Sequence, residues 1–321
     1  MGRLTAIPNP ELVTRASGWD WVRALAETTK PGITKLVTIT SMVGFVLSWL
    51  LHHGAALGPF LVPGLIAGIG TYLSAGGANA LNQWLESERD VRMRRTAARP
   101  LPSDRLPHAT VFKLGLLLSL AGCLVLLAAG PVPALIALTC TIVYVFIYTP
   151  MKPRSAWCTL VGAIPGALPP LIGWTAALPD AGLAATLEPG AQALFWLMMV
   201  WQIPHFMAIA WMFRDDYERG GMRMLPVIDR TGAGTAFVMI LTAALLVPAT
   251  LAPVLAMPDV LGFVSLTVAG VSSLMFLAMA VQLARTRTDR IARRVFFASI
   301  IHLPLLLVVM VGEAFVRIVL L

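Results

Sequence analysis

Charge is what this sequence has least of. Asp, Glu, Lys and Arg make up 12% of its 321 residues, about half the share of a soluble domain. Hydrophobic residues make up 58%, which excludes a soluble globular fold, a disordered chain and a collagen-like one. Cysteine is scarce too. Cys123, Cys140 and Cys158 are too few for a disulfide scaffold, lack metal-ligand spacing and read as small buried thiols. No apolar run precedes Pro31 that could serve as a secretory signal, and Glu11, Asp20 and Glu27 argue against a mitochondrial transit peptide. No linker is long enough to divide the chain. What remains is one all-α, polytopic membrane domain over 1–321, with 1–30 as an N-terminal arm.

A spanning helix needs roughly 20 mostly apolar residues. Nine segments qualify: 33–51, 59–84, 111–129, 132–149, 157–178, 191–213, 234–256, 259–283 and 295–320. The basic residues alternate with them. The arm with the start of the first span, and the second, fourth, sixth and eighth connector regions, hold every Lys and Arg except Arg317, Lys35 and Lys113 lying just inside the spans that adjoin them, while the connectors 52–58, 130–131, 179–190 and 257–258 hold none. This is the positive-inside pattern, and it predicts a cytoplasmic N-terminus. Trp19 and Trp21, with Arg23 and Lys30, read as an interfacial amphipathic approach to the first span or as a solvated arm. The net charge of +8 is thus mostly topogenic, and no nucleic-acid partner is expected.

Acidic residues contribute little to topology, so their two clusters on that same face need another cause. The first lies in Asn79-Ala-Leu-Asn82-Gln-Trp-Leu-Glu86-Ser-Glu-Arg-Asp90. Steps of three, four and four residues put Asn79, Asn82, Glu86 and Asp90 within about 80° of one helix face. Oxygen donors stacked this way suit Mg²⁺, which takes one or two carboxylates together with substrate phosphate oxygens. Arg95 and Arg99 follow, and guanidinium forks match phosphate geometry. The second cluster is Arg214-Asp215-Asp216-Tyr217-Glu218-Arg219, and Lys152 adds a point charge from the fourth connector. Together they read as a two-sided clamp for a diphosphate ester whose lipid-like remainder lies among the helices. Two plainer readings stand beside it: Asn79 and Asn82 as interhelical hydrogen-bonding residues, and the arginine run as a site for anionic lipid heads.

The first motif resembles the Asn-x-x-Asn-x-x-x-Asp-x-x-x-Asp signature of the UbiA superfamily of intramembrane prenyltransferases, with Glu86 in place of the first aspartate. Further motifs are Arg95-Thr96-x-x-Arg99-Pro100-Leu101-Pro102, Tyr148-Thr149-Pro150-x-Lys152 and Gly166-Ala167-x-Pro169-Pro170-x-x-Gly173-Trp174. Trp201-Gln202-x-Pro204-His205-Phe206, Asp216-Tyr217-x-x-Gly220 and His302-Leu303-Pro304 complete the set. With these the chain is similar to the protoheme IX farnesyltransferases, and most to their mitochondrial branch. It departs from the pattern in Glu86, in Pro153 and Cys158, and in lacking an upstream acid near Met212.

The resemblance implies a UbiA-like helical bundle that joins the farnesyl group of farnesyl diphosphate to a vinyl group of heme B, with water added and diphosphate released, giving heme O. It implies Mg²⁺ held by Glu86, Asp90, Asp215 and Asp216 with Asn82, and diphosphate bound by Arg95, Arg99, Lys152 and Asn79. On the heme side it points to His205, His302 and Trp174. Either histidine could ligate iron or simply bond a neighbouring helix. Trp84, Trp201 and Phe206 could face the allylic cation. No Cys-x-x-Cys-His occurs, so covalent heme attachment is not indicated. The implied setting is a bacterial plasma membrane, with a mitochondrial inner membrane as the alternative; heme A synthase or oxidase assembly factors are the implied partners. Two rivals remain: a relative prenylating an aromatic acid or quinone precursor, and a transporter. Transporters usually place charged sites near the bilayer midplane, and here no Asp, Glu, Lys or Arg occupies the middle of an expected span.

Overall fold

A chain crossing lipid must satisfy its backbone hydrogen bonds internally, so the apolar segments fold as helices. The computed structural model describes residues 18–56 and 58–320, and no strand occurs among the described residues. Arg3, Glu11 and Arg15 of the N-terminal arm lie outside them. The arm ends in α1 (Gly18–Thr28). Trp19 and Trp21 are exposed on α1, while Ala24 and Thr28 are buried. This one-sided burial fits both an interfacial approach to the membrane and a solvated arm.

Nine helical stretches among the described residues are long and apolar enough to cross a membrane, in register with the nine expected segments. They are formed by α2 (Pro31–His53), α3 (Leu61–Asp90) and α4 (His108–Leu127); α5 (Pro131–Ile142) continued by α6 (Thr149–Met151); α7 (Cys158–Ala167) continued by α8 (Pro169–Ala176); and α9 (Pro189–Met212). After two short helices, α10 (Arg214–Arg219) and α11 (Leu225–Ile228), come α12 (Ala233–Ala256), α13 (Phe263–Thr286) and α14 (Asp289–Phe315). Pro31, Pro131, Pro169 and Pro189 each open a helix, where the missing N–H costs nothing.

Three departures from plain spanning helices shape the site. First, α3 runs for 30 residues, about 45 Å, against a hydrocarbon core of about 30 Å. Its last turns therefore carry the acidic motif out to the boundary as helix rather than loop. Second, α5 widens into a π-helical turn over Val143–Tyr148. The Thr149 hydroxyl donates to the Tyr144 carbonyl at 2.8 Å. Turns of this kind occur often at functional sites. Third, the fifth span breaks at Leu168, where Pro169-Pro170 begins a new helix.

The best-packed pair is α3 with α4. A Cβ at Gly77 would collide with the backbone of Ser119, and one at Gly122 with the backbone of Ser74. Small residues at a helix crossing let backbones approach closely in lipid. Around them, large apolar side chains such as Leu117, Phe237 and Val308 stay exposed, as a lipid-facing belt requires. Of the three thiols Cys158 is buried, whereas Cys123 and Cys140 are only half-buried, because α4 and α5 face lipid on one side. Arg317, the one basic side chain among the described residues away from the basic face, donates to the carbonyls of Leu261 (2.6 Å) and Pro258 (3.1 Å). Glu313 accepts from the N–H groups of Val264 and Ser265. Together they fasten the turn between α12 and α13 to the last span.

Candidate active site

The last four turns of α3 bury Asn79, Asn82, Glu86 and Asp90 side by side, none more than 5% exposed. Cations from three other segments meet them. Lys152 Nζ lies 2.7 Å from Glu86 Oε1. Arg99 Nη1 lies 2.7 Å from Asp90 Oδ2. Lys30 donates to Asn82 Oδ1. The amides are held in turn: Asn82 donates to Thr149 Oγ1 at 2.9 Å, Asn79 donates to Thr34 Oγ1 at 3.0 Å, and Tyr144 donates to Asn79 Oδ1 at 3.3 Å. The π-helical turn thus presents Tyr144 and the Tyr148 ring, which carries Lys152 Nζ 4.6 Å from its centre, to the same cluster. Lys30, Thr34 and Tyr144 escaped sequence reasoning. In sequence Lys30 looks like one more topogenic charge, and its one local signal is its place directly before Pro31.

Electrostatics follow from enclosure. Burial pushes the Lys30 ammonium down to about 7, with Arg99 and Lys152 pushing the same way and Glu86 and Asp90 resisting. Burial also opposes the charge of Lys152, but Glu86 beside it and the Tyr148 and Tyr144 hydroxyls prevail, so it is held above the ordinary lysine range.

Asp216 takes a different part from the one expected. It accepts from the backbone N–H groups of Arg94 and Arg95, each at 3.0 Å, and pairs with Arg219. Burial works against its charge, but those three donors hold its carboxyl below the usual range. It therefore fixes the turn that carries Arg95 and Arg99. Arg95 itself is exposed, donates to the Tyr217 hydroxyl at 3.1 Å and lies over the Phe213 and Tyr217 rings. Asp215 is 84% exposed, 3.8 Å from Arg214, and lines a separate cleft with Trp211, Asp229, Arg230 and Arg287. Adjacent residues on a helix project about 100° apart, so Asp215 and Asp216 do not face one ligand. Among the described residues no three His, Cys, Asp or Glu side chains converge to hold a metal. The four-carboxylate set of the sequence reading is not assembled.

The residues that are together still fit Mg²⁺. Glu86 and Asp90 stand one turn apart on one face, and Asp90 Oδ1 is buried without a hydrogen-bond partner among the described residues, an orphan that a native interior rarely leaves. Two carboxylates plus phosphate oxygens make an ordinary Mg²⁺ set.

The profile of the UbiA prenyltransferase family matches residues 37–301. The chain belongs to the UbiA prenyltransferase family. It is 40% identical over 292 residues to the protoheme IX farnesyltransferase of Solibacter usitatus, covering 89% of this chain and 96% of that protein. A solved structure of digeranylgeranylglyceryl phosphate synthase shares the fold with a TM-score of 0.74 at 14% identity, covering 92% of this chain and 99% of that one. A UbiA homologue from Archaeoglobus fulgidus, bound to GPP and Mg²⁺, does so with a TM-score of 0.62 at 10% identity, covering 91% and 99%.

The remaining expected site residues of this UbiA-family chain lie elsewhere in the bundle. Trp174 is fully buried and donates to Glu188 Oε2 at 2.9 Å, and Glu188 in turn lies 3.2 Å from His52. That group sits at the end of the bundle away from the basic face, so Trp174 does not join the acidic cluster. His302 is 3% exposed and neither ring nitrogen has a hydrogen-bond partner among the described residues. His205 is half-buried, with Nδ1 2.6 Å from Ser299 Oγ. Trp201 is buried and donates to the Ser299 carbonyl at 3.0 Å; Trp84 packs on Phe112.

Proposed function

We propose that this protein transfers the farnesyl group of farnesyl diphosphate to a vinyl group of heme B, giving heme O. The observation that carries the reading is the 40% identity, over 89% of the chain, to a protoheme IX farnesyltransferase. The cluster at the end of α3 supports the donor half. Three cations and two carboxylates stand at one edge of an apolar bundle, which suits a charged head with a long apolar tail.

The chemistry needs the bond between farnesyl C1 and the diphosphate oxygen to break, its electron pair leaving with the diphosphate. C1 then bonds the terminal vinyl carbon, a water oxygen bonds the other vinyl carbon, and one proton is released. Lys152, Lys30 and Arg99 would turn from their present partners to the phosphate oxygens, and Arg95 stands on the same turn. Fixed cations aimed at charge that develops in the transition state are the main catalytic device available here. Mg²⁺ held by Glu86 and Asp90, with Asn82 beside them, would add charge neutralisation at the leaving oxygens. Asn79, locked by Thr34 and Tyr144, keeps that face in register. Asp216 acts through the 92–99 turn, by placing Arg99. The apolar walls below keep water from the allylic cation until the vinyl carbon attacks.

The positive-inside distribution supports a cytoplasmic site and N-terminus, in a plasma membrane. The test of function is direct. Membranes containing the protein, given farnesyl diphosphate and either heme B or 4-hydroxybenzoate, are expected to yield the mass of heme O from the first acceptor only. A prenylated hydroxybenzoate, with heme B unchanged, would overturn the reading.

A further inference from the structure

Two histidines lie in the interior of the bundle, and their hydrogen bonding separates them. Ser299 Oγ donates its only proton to the Phe296 carbonyl at 2.6 Å. It can therefore only accept at the 2.6 Å contact with His205 Nδ1, so the proton of the neutral imidazole sits on Nδ1 and Nε2 carries the lone pair. The ring plane is held as well. It lies nearly parallel to Trp201 at 4.9 Å and to Phe296 at 5.3 Å. His205 Nε2 has no hydrogen-bond partner among the described residues, and the residue is not sealed from its surroundings.

An imidazole with one nitrogen engaged by a fixed acceptor and the other left open is the arrangement found in metal-ligating histidines, where the partner sets tautomer and orientation. His53 shares the pattern, donating from Nε2 to the Ala177 carbonyl at 3.0 Å, but it is exposed at the end of α2 away from the basic face. His302 is buried, with both nitrogens unpartnered among the described residues. His52 spends Nδ1 on the Ser48 carbonyl and Nε2 on Glu188. His205 also stands seven residues inside the basic end of α9, about 10 Å along the axis.

We propose that His205 Nε2 is the axial ligand that captures the iron of the porphyrin acceptor, and that Ser299 is the positioning residue that fixes its tautomer. The proposal rests on heme B being the acceptor. Coordination there would hold the porphyrin by its iron while the vinyl group reacts.

The experiment is a heme B titration of the purified full-length protein in detergent, read by optical and electron paramagnetic resonance spectra. Wild type is expected to show histidine ligation. His205→Ala is expected to lose that signature and to regain it with added imidazole. Ser299→Ala is expected to weaken heme binding about tenfold or more with a mixed-ligand spectrum, whereas Ser299→Thr, which keeps the acceptor oxygen, retains both. An unchanged spectrum in His205→Ala, or loss of ligation in His302→Phe instead, overturns the assignment. Wild-type protein that binds no heme B overturns the assignment together with the proposed acceptor, so the two failures are distinguishable.

Discussion

Glu86→Gln is the substitution whose consequence follows most closely from the geometry. It removes the negative member of a pair closed at 2.7 Å, with Lys152 and Glu86 side chains 12% and 7% exposed. Removing one partner of an enclosed pair costs about 3–5 kcal/mol, because the survivor is left as uncompensated buried charge. Lys152 retains the Tyr148 ring 4.6 Å away, and a desolvated cation–π contact returns up to about 2 kcal/mol. The expected loss is therefore at the lower end, about 3 kcal/mol. Lys152→Met strands Glu86 in the same way, although Lys30 also bears on that carboxylate. The double variant strands neither charge and is expected to cost less than either single one. Denaturant unfolding of the four proteins in one detergent measures the cycle, and the expected coupling is at least about 3 kcal/mol. Losses that add to within about 0.5 kcal/mol would refute the pair, and with it the claim that Lys152 stands ready beside the metal carboxylate.

The remaining expectations separate roles that look alike in sequence. Asp216→Asn loosens the turn carrying Arg99, so the KM for farnesyl diphosphate is expected to rise about tenfold, near 1.4 kcal/mol, with the Mg²⁺ activation curve unmoved; a shifted Mg²⁺ curve would return Asp216 to the metal. Lys30 is charged below about pH 7, so affinity for the diphosphate is expected to fall as pH rises through that value, and Lys30→Met to remove that limb; an unchanged pH profile in Lys30→Met contradicts the role. The linkage for folding has the opposite sign. The pKa of Lys30 lies below its ordinary 10.5, so stability contributed by this group rises with pH between about 7 and 10.5, and Lys30→Met is expected to lose that rise in unfolding measurements.

The parts of this molecule that obey a single period were legible in its sequence. The nine apolar runs answer to nine helices, among the described residues, long and apolar enough to span a membrane, and the three-four-four spacing from Asn79 to Asp90 answers to a buried face on α3. What escaped depends on contacts between distant segments. Asp215 and Asp216 look equivalent as a pair, yet only Asp216 meets the N–H groups of Arg94 and Arg95, which lie about 120 residues away. Lys30 was hidden because its charge also serves topology, and only the fold brings it to Asn82. Trp174 sits in a motif shared with the family, but the motif does not say which end of the bundle it occupies. No residue in Val143–Tyr148 announces a π-helical turn, because the widening is set by how Tyr144 and Thr149 pack against α3.

The central claim is that Glu86 and Asp90, ringed by Lys30, Lys152 and Arg99, receive the metal and the diphosphate. The most direct measurement is a crystal structure with Mn²⁺ in place of Mg²⁺ and a non-hydrolysable thio analogue of farnesyl diphosphate, the metal located by anomalous scattering. The account predicts the anomalous peak at ligand distance from Glu86 and Asp90, with Asp216 still holding the turn at Arg94 and Arg95. A peak bound by Asp215 and Asp216, away from the end of α3, would contradict it.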